Sequence, residues 1–304
     1  MLLAVNYSEA TADLLRRRLV DFDAFKVPAW PDLAARALAQ HPTYVHFPLI
    51  VGAGLGDALD GETNARADWG KVERLLNATD TQFVNVHLAP APAHAPDIPV
   101  ESVTAEHAAA IAERMAADLR PVVARFGADR VIAENDQLNS GQTLRAAYLP
   151  EVISAVIEEV GCGLLLDLSH ARIAADVLGS SLDAYLEALP LARLRDLHVT
   201  GIQVFDDAWA RRMKERRIPV EQYSHMLGMP QDHLPMTDSD WEALGALLER
   251  VHGGALPAPR TATFEYGGVG PLWEAVTDQS VLADQIPRLL ALVNSEPPIS
   301  PRMT

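Results

Sequence analysis

Six strand-like runs of this chain each end at a residue whose side chain can bind a metal ion. The runs, with their terminal residues, are TYVHF (His46), QFVNVHL (His87), RVIAEN (Glu134), GLLLDLSH (Asp167 and His170), RDLHVT (His198) and TATFEY (Glu265). Parallel α/β barrels bring the carboxyl ends of their strands to one mouth, where their chemistry resides. Imidazole and carboxylate groups without a thiolate set suit hard or borderline metal ions. The pattern predicts a barrel with a metal site at its mouth.

The rest of the chain continues this alternation of strands and helices. Ser8 is a helix cap ahead of EATADLLRRRL, and Pro31 opens the next helix. We predict the first strand at LLAVN, a seventh near residues 223–229 and the eighth at TATFEY. Eight repeats favour a single-domain (β/α)8 TIM barrel over residues 1–304, with an open doubly wound sheet as the runner-up. A charged stretch at 206–217 predicts an excursion or lid within 203–222, and the tail from about 295 to 304 is expected to be flexible.

Composition restricts the partners and the compartment. A net charge of −16 argues against a duplex nucleic-acid partner, whose phosphates need a basic surface. No apolar run approaches the roughly 18 residues that span a membrane, and MLLAVNYSEA lacks the features of a signal peptide. Cys162 is the one cysteine, which excludes an internal disulfide and suits a reducing cytoplasm. We therefore expect a cytoplasmic protein without nucleic-acid or membrane partners.

A glycine-rich loop and a lone cysteine are often functional in enzymes, but here neither has the sequence context that its function requires. VGAGLGD is rich in glycine but does not give G-x-G-x-x-G, and it follows the second predicted strand rather than the first. Cys162 precedes the fifth strand, at the end of a barrel opposite to its chemistry. The sequence therefore predicts neither a dinucleotide site nor a cysteine nucleophile.

Each candidate ligand also has an ordinary structural interpretation. Asp167 is either a ligand or the cap of the following helix, and His170 either a ligand or a loop residue. Glu134 ends an apolar strand, so its carboxylate needs a metal ion or a salt bridge. The histidines at strand ends are ligands or hydrogen-bonded core residues, and a glycine pair after Glu265 allows close approach of a ligand. Three candidates in an irregular segment are further ligands or solvated residues: His225, Asp232 and His233.

Taken in order, these segments resemble the multinuclear non-heme iron-dependent oxidative enzymes, the MNIO family. VIAENDQ is similar to the V-E-N strand end of that family, and GCGLLLDLSHARIAA to its G-[CM]-G-L-L-L-D-[VL]-[NS]-[NH] signature. HFPLIVGAGLG resembles H-G-x-x-L-S-x-G, LHVTG resembles I-H-L-A-G, LPMTDSDWEAL resembles H-P-V-x-x-x-V-W, and TFEY resembles I-E-W. The resemblance covers the chain from about His46 to Glu265, and GLLLD is its most specific part.

The resemblance implies a xylose-isomerase-like TIM barrel that holds two or three irons. Family members use oxygen to modify residues, often cysteine, in ribosomally made precursor peptides, commonly with a partner protein that recognises the peptide. By matching position, the implied metal ligands are His46, His87, Glu134, Asp167, His170, His198 and Glu265.

Two departures from the family pattern concern the third metal position. Ile202 stands where the family has a second histidine after H-L-A-G. The family's D-x-H aligns without gaps to Pro230 and Asp232, whereas a one-residue shift offers Asp232 and His233. We expect the core of two ions to be intact and the third position to be rebuilt or lost.

Three other functions fit parts of the same pattern. A sugar isomerase or epimerase of this barrel type would use two Mn, Mg or Zn ions to polarise neighbouring oxygens. A metal-dependent phosphodiesterase would need basic residues around the mouth. A non-catalytic binding module would retain the barrel with a decayed site; the departure at Ile202 favours it, and the seven retained ligand types oppose it.

Overall fold

The structure is a computed structural model that describes residues 1–136 and 143–295. These residues form two compact units: unit 1 is Met1–Ala24 with the chain from Val199 onwards, and unit 2 is Phe25–His198. Among the described residues, no helix is both long and apolar enough to cross a membrane. The predicted flexible tail falls almost wholly outside the described residues, and the single-domain organisation stays a prediction.

Twelve strands occur in the described part of the chain. They are β1 Leu2–Asn6, β2 Ala24–Pro28, β3 Thr43–His46, β4 Leu49–Val51, β5 Leu59–Asp60, β6 Val84–Leu88, β7 Val131–Glu134, β8 Gly163–Asp167, β9 Leu194–Val199, β10 Gly201–Val204, β11 Pro230–Leu234 and β12 Thr261–Phe264.

Eleven α-helices occur in the same residues and alternate with most of the strands. They are α1 Glu9–Arg16, α2 Pro31–Leu38, α3 Trp69–Ala78, α4 Ala105–Phe126, α5 Pro150–Val160, α6 Leu168–Leu178, α7 Leu182–Ala188, α8 Asp207–Glu215, α9 Asp238–His252, α10 Pro271–Val276 and α11 Gln279–Val293.

Parallel strands dominate unit 2. One set runs β9-β8-β7-β6-β4 with every pair parallel, and β5 adds antiparallel to β4; β2 and β3 form a second parallel pair. The register places His87 opposite Glu134, and Asp167 opposite His198. Because parallel strands end at the same edge of a sheet, four of the predicted ligands lie along one edge.

Local sequence explains why these strands are buried and where their helices end. All five residues of β8 are buried, as expected for a parallel strand covered on both faces. In α4, apolar side chains recur every three or four residues and form a buried stripe, which includes Ile111, Met115 and Leu119; the helix packs against α5. Gly161 ends α5 with a φ of 76°, a left-handed conformation that favours glycine.

Unit 1 contains a parallel pair and a hairpin. β1 pairs with β12, and Val5 lies opposite Phe264. β10 and β11 are antiparallel, and α8 lies in the long connection between them. Thr237 and Asp240 form a capping box at the start of α9. The hairpin and the end of β12 carry the remaining predicted ligands, which are Asp232, His233 and Glu265.

The predicted seventh strand near residues 223–229 was wrong. Ser224–Met226 forms a short 3-10 helix instead. Sequence reasoning missed β2, β4, β5 and β10; of these, β2 includes Lys26 in a buried position. A lysine interrupts the apolar run of this strand, so the run has little resemblance to a core strand in sequence. The stretch at 206–217 is largely the helix α8; its role as a lid stays a prediction.

Candidate metal centre

Glu134 lies at the centre of a group of histidines in unit 2. It is the last residue of β7, and only 1 % of its surface is exposed. Its Oε2 lies 3.3 Å from His46 Nε2 and 3.4 Å from His87 Nδ1. Its Oε1 lies 3.5 Å from His198 Nδ1 and 3.9 Å from His170 Nδ1. Four imidazoles from four different segments therefore face one buried carboxylate.

The orientation of His46 is set by Asn85. The side-chain oxygen of Asn85 accepts a hydrogen bond from the Phe47 amide at 2.8 Å, which fixes which end of the side chain is the amide nitrogen. That nitrogen donates to the Phe47 carbonyl at 2.9 Å and lies 3.0 Å from His46 Nε2. Because an amide nitrogen only donates, His46 Nε2 accepts and carries no proton. His46 Nε2 is therefore the unprotonated nitrogen of its ring, and the neutral imidazole is the form that binds metals.

His87 meets the same nitrogen of His46. The two Nε2 atoms are 3.1 Å apart, so His87 Nε2 is the donor in this contact. In the neutral imidazole the other nitrogen, Nδ1, is then an acceptor. It faces the carboxylate oxygen of Glu134 at 3.4 Å. The lone pair of His87 Nδ1 therefore faces a lone pair of Glu134 Oε2 in a buried site. A cation between the two atoms would compensate both lone pairs.

The two carboxylate oxygens of Asp167 have different surroundings, one suited to a helix cap and the other to a metal ligand. Its Oδ1 caps α6 by accepting from the amides of Ser169 at 2.7 Å and His170 at 2.9 Å. Its Oδ2 lies 3.5 Å from His170 Nε2 and is buried. One oxygen is therefore used by the helix cap, and the other is directed towards the histidines. These residues form what we call the Glu134 cluster: His46, His87, Glu134, Asp167, His170 and His198.

Asn135 holds Asp167 and His170 in place. Its side chain accepts from the Asp167 amide at 2.8 Å and donates to the Asp167 carbonyl at 2.9 Å. Its own carbonyl lies 2.8 Å from His170 Nδ1, which therefore donates. Nε2 of the neutral His170 is then the unprotonated nitrogen. Hydrogen bonds of this kind orient metal-binding histidines and set their tautomer.

Ligand atoms of the Glu134 cluster form two compact triads that share Glu134. In each triad the ligand atoms lie within 4.8 Å of one another: one contains His46, Glu134 and His198, and the other contains Glu134, Asp167 and His170. Such spacing allows one ion to contact all three residues of a triad. Two triads with a common carboxylate are compatible with two neighbouring ions.

Charge in the cluster favours the metal-binding forms of these side chains. Burial, with the nearby charge of Lys26, holds the pKa of His46 well below its usual value and also lowers the pKa of His198. Burial alone would raise the pKa of Glu134, but the surrounding imidazoles, first among them His87, outweigh it and hold that pKa well below its usual value. Neutral imidazole and ionised carboxylate are the forms that bind metals.

Two buried carboxylate oxygens of the cluster lack the hydrogen-bond donors that burial normally requires. Glu134 Oε2 and Asp167 Oδ2 are buried and have no hydrogen-bond partner among the described residues. A buried carboxylate oxygen without a donor is costly unless a cation compensates it. The donor set of imidazole nitrogens and carboxylate oxygens suits iron, manganese or zinc. The residues of the cluster therefore fit a metal centre.

The remaining predicted ligands meet in unit 1. His233 Nδ1 donates to the Glu265 carbonyl at 2.6 Å, so Nε2 of the neutral ring is the acceptor. That Nε2 lies 3.6 Å from Asp232 Oδ2 and 3.9 Å from Glu265 Oε2. His233 has a φ of 56°, which is uncommon for a residue other than glycine and turns its side chain towards Glu265.

The structure shows the surroundings of the residues at which the chain departs from the family pattern. Asp232 and His233 lie beside Glu265, whereas Pro230 is exposed at the start of β11. Ile202 is half-buried, and its amide donates to Asp240 at 3.3 Å. His225 is exposed in the 3-10 helix after β10 and belongs to none of the candidate metal groups formed by the described residues.

Sequence reasoning missed two residues that act on the Glu134 cluster. Asn85 precedes His87 by two positions on β6, so both side chains lie on one face of the strand, and this spacing was a usable signal. Lys26 gave no signal because its strand was not predicted. Cys162 is buried, and burial raises the pKa of its thiol to about 12, which agrees with its exclusion as a nucleophile.

The glycine-rich stretch after β4 is occupied by a side chain of the protein itself. Asp118 of α4 is fully buried and accepts hydrogen bonds from the amides of Gly52, Gly54 and Gly56 at 3.0, 2.8 and 2.6 Å. Backbone amides that converge in this way bind phosphates in other proteins. Here the carboxylate of Asp118 takes that place, in agreement with the absence of a predicted dinucleotide site.

Comparison with known proteins identifies the family. The sequence profile of the "RiPP precursor modification enzyme MbnB/TglH/ChrH" family, whose substrates are ribosomally synthesised and post-translationally modified peptides, matches residues 65–216, half of the chain. The chain belongs to this family. The MNIO resemblance found in the sequence is thereby confirmed, and the family is one of enzymes that act on precursor peptides.

Curated proteins of similar sequence are longer than the region in which they match this chain. A UPF0276 protein of Paraburkholderia phytofirmans (strain DSM 17436 / LMG 22146 / PsJN) is 28 % identical over 136 residues, covering 45 % of this chain and 38 % of that protein. A UPF0276 protein of Caulobacter vibrioides (strain NA1000 / CB15N) is 29 % identical over 181 residues, covering 56 % of this chain and 59 % of that protein. The chain thus matches less than two thirds of the length of either relative.

Solved structures identify the fold. A xylose isomerase domain-containing protein from Salmonella typhimurium LT2 superimposes with a TM-score of 0.53 over 96 % of this chain and 97 % of that chain, at 14 % sequence identity. At this identity the likeness concerns the fold and not the reaction. The predicted fold class, an α/β TIM barrel of the xylose-isomerase-like kind, is confirmed.

Proposed function

We propose that this chain is an iron-dependent oxidative enzyme that modifies a ribosomally synthesised precursor peptide, with cysteine as the expected target residue. The observation that carries the proposal is the Glu134 carboxylate, which faces four imidazole nitrogens at 3.3 to 3.9 Å. Membership of a family that modifies precursor peptides supports the substrate class.

The Glu134 cluster would hold two ions, one at each triad, with Glu134 common to both. Asp232, His233 and Glu265 are proposed as further ligands, in line with the family resemblance. Iron held by these residues would supply the activation of molecular oxygen. The protein contributes the orientation of the ligands: Asn85 fixes His46, and Asn135 fixes Asp167 and His170. Lys26 favours the neutral state of the buried histidines.

Anaerobic purification with metal analysis tests this proposal. We expect more than one equivalent of iron per chain, measured by inductively coupled plasma mass spectrometry, and a change in the absorption and Mössbauer spectra on exposure to oxygen. Glu134→Gln should lose most of the iron, because the amide is neutral and one ligand oxygen is replaced by a donor. His225→Gln is the matched control and should retain the iron, since His225 is exposed.

Other outcomes point to other functions. Manganese, magnesium or zinc bound without sensitivity to oxygen, together with interconversion of free sugars under strict anaerobiosis, would contradict the proposal and favour a sugar isomerase. Retention of iron by Glu134→Gln would remove Glu134 from the ligand set.

The peptide substrate is tested separately. The protein is co-expressed with short peptides encoded near its gene, with and without a neighbouring protein that could recognise the peptide. We expect an oxygen-dependent mass change on one peptide, which is lost when its cysteines are replaced by serine. A mass change that persists in the cysteine-free peptide would contradict the assignment of cysteine as the target.

A further inference from the structure

We propose that the exposed face of α8 and the residues that follow it bind an acidic, apolar-containing segment of the peptide substrate. The proposal rests on the proposed function for the nature of the substrate. Its evidence is a concentration of positive charge in an acidic chain, a rigid attachment of the helix, and neighbouring exposed apolar side chains. We call this surface, which comprises Arg211, Lys214, Arg216, Arg217, Val204, Val220 and Leu227, the α8 surface.

Positive charge is concentrated in the sequence RRMKERR at 211–217. This run contains five of the 25 basic residues and a single acid, in a chain whose net charge is −16. Arg211, Lys214, Arg216 and Arg217 are exposed. The side chains of Arg211, Lys214 and Arg217 make no ion pair or hydrogen bond with any other residue in the described part of the chain. Their charges are therefore available to a ligand.

The opposite face of α8 holds the helix in place. Met213 is fully buried, and the ring of Trp209 stacks on Phe205 at a centroid distance of 6.0 Å. Arg212 donates to the carbonyls of Ala275 at 2.9 Å and Thr277 at 3.2 Å. Asp206 caps the first turn. The free basic side chains thus project from a fixed helix, which lowers the entropic cost of binding a ligand.

Exposed apolar residues flank the charges. Val204 and Val220 are 52 % and 50 % exposed, and Leu227 is 41 % exposed. Leu227 forms a β-bridge with Phe205, the residue after Val204, so the backbones of these two exposed apolar residues lie close together. A ligand with both carboxylates and apolar side chains matches this combination, whereas a phosphate or a free sugar leaves the apolar residues without partners.

The α8 surface is connected to candidate metal ligands within unit 1. α8 lies between β10 and β11, and Val204 pairs with Pro230 at the outer end of that hairpin. His233 is three residues farther along β11, a distance of roughly 10 Å at the rise of a strand. Three or four residues of extended peptide span this distance. A peptide segment held at the Val204 end of the α8 surface therefore has neighbouring residues within reach of His233.

The net charge of the chain does not prevent this binding. Exposed charges are screened beyond about 8 Å at physiological ionic strength, so distant acidic residues act weakly on a ligand at α8. The local basic residues act at contact distance. We therefore expect binding that weakens as salt is raised and that depends on the carboxylates of the peptide.

Fluorescence anisotropy tests the proposal with the purified, metal-loaded protein. The probe is a fluorescein-labelled peptide of 15 residues with six glutamates interspersed with leucine and tyrosine, and the matched peptide has glutamine at the six positions. The test variant is Arg211→Gln/Lys214→Gln/Arg217→Gln. The control variant is Arg18→Gln/Arg74→Gln/Arg260→Gln, three exposed arginines elsewhere on the chain.

We expect the glutamate peptide to bind the wild type and the control equally. The test variant should bind about tenfold more weakly, since each exposed charge contact contributes roughly a twofold to threefold effect. No binding by the wild type, equal binding of the glutamine peptide, or equal weakening in both variants would each overturn the proposal. Iron content and the oxygen response are measured on the same samples. If the wild type contains no iron and does not respond to oxygen, but still binds the glutamate peptide through charge, the proposed function is contradicted. The peptide-binding role of the α8 surface is then still supported.

Discussion

Replacing Asp118 by alanine is expected to destabilise the protein, because the Asp118 carboxylate of α4 holds the glycine-rich stretch after β4. The carboxylate is fully buried and accepts from three backbone amides; Gly52 is a buried residue, whereas Gly54 and Gly56 are exposed residues whose hydrogen bonds to Asp118 are partly buried. Alanine leaves the Gly52 amide buried without a partner. The other two amides are rehydrated by solvent.

The magnitude follows from these different environments. An unpaired buried amide costs about 1–3 kcal/mol, and each exposed hydrogen bond contributes about 1 kcal/mol. Asp118→Ala should therefore lower the free energy of unfolding by about 3–5 kcal/mol. Asp118→Asn should cost less, about 1–2 kcal/mol, because its amide keeps one oxygen acceptor.

Urea denaturation of the metal-free protein, followed by tryptophan fluorescence and analysed by linear extrapolation, measures the change. Asp60→Ala is the matched control: Asp60 accepts from the amides of Glu62 and Thr63 at 2.9 and 3.0 Å in an exposed turn, so its loss should cost under about 1 kcal/mol. β4 precedes Gly52 and places Ile50 opposite His87, so Asp118→Ala should also weaken iron retention. An Asp118→Ala protein within about 1 kcal/mol of wild type would show that the hydrogen bonds to Asp118 do not stabilise the fold.

Three further predictions concern the candidate site and its surroundings. Asp167→Asn should keep the α6 cap and the circular dichroism spectrum of the wild type but lose iron measured by mass spectrometry; unchanged iron would remove Asp167 from the ligand set. The pKa values of His46 and His198 are lowered by folding, mainly by burial, so the unfolded state takes up more protons than the folded state below about pH 6.5. The metal-free protein should therefore become less stable as pH falls from about 7.5 to about 5.5. Thermal unfolding across this range checks the sign, and a melting temperature that rises on acidification would refute it. Arg212→Met removes the hydrogen bonds that hold α8 to Ala275 and Thr277, so trypsin should cleave within 211–217 faster than in wild type; an unchanged cleavage rate would show that packing of Met213 alone holds the helix.

Residues with strong local preferences were the ones that could be predicted from sequence. GLLLD is apolar and β-prone up to Asp167, its last residue; the run forms β8, and Asp167 caps α6. Ser8 and Pro31 start helices as expected. Their structures depend on neighbours within a few positions, which a linear pattern contains. The same holds for the strand-end residues, because a strand that ends at a polar residue commonly ends at the edge of its sheet.

Elements whose stability depends on distant partners were not predictable. β2 contains a buried lysine, and nothing near it in the sequence indicates the environment that accepts its charge. Asp118 lies 62 to 66 positions from the glycines that it binds, so neither segment by itself explains the other. His233 turns towards Glu265 through a left-handed backbone, a conformation that no residue type in HLPM favours.

The alternation of strands and helices, the family, and the residue types at the strand ends could be predicted from the linear chain. These properties are encoded locally, in hydrophobic period, caps and short motifs. The folded chain was needed to show which ligand atoms face one another, that Glu134 is shared by two triads, and that Asn85 and Asn135 set the histidine tautomers. The physical reason is that a metal site depends on distances of a few ångströms between side chains far apart in sequence, and those distances exist only once the strands have paired.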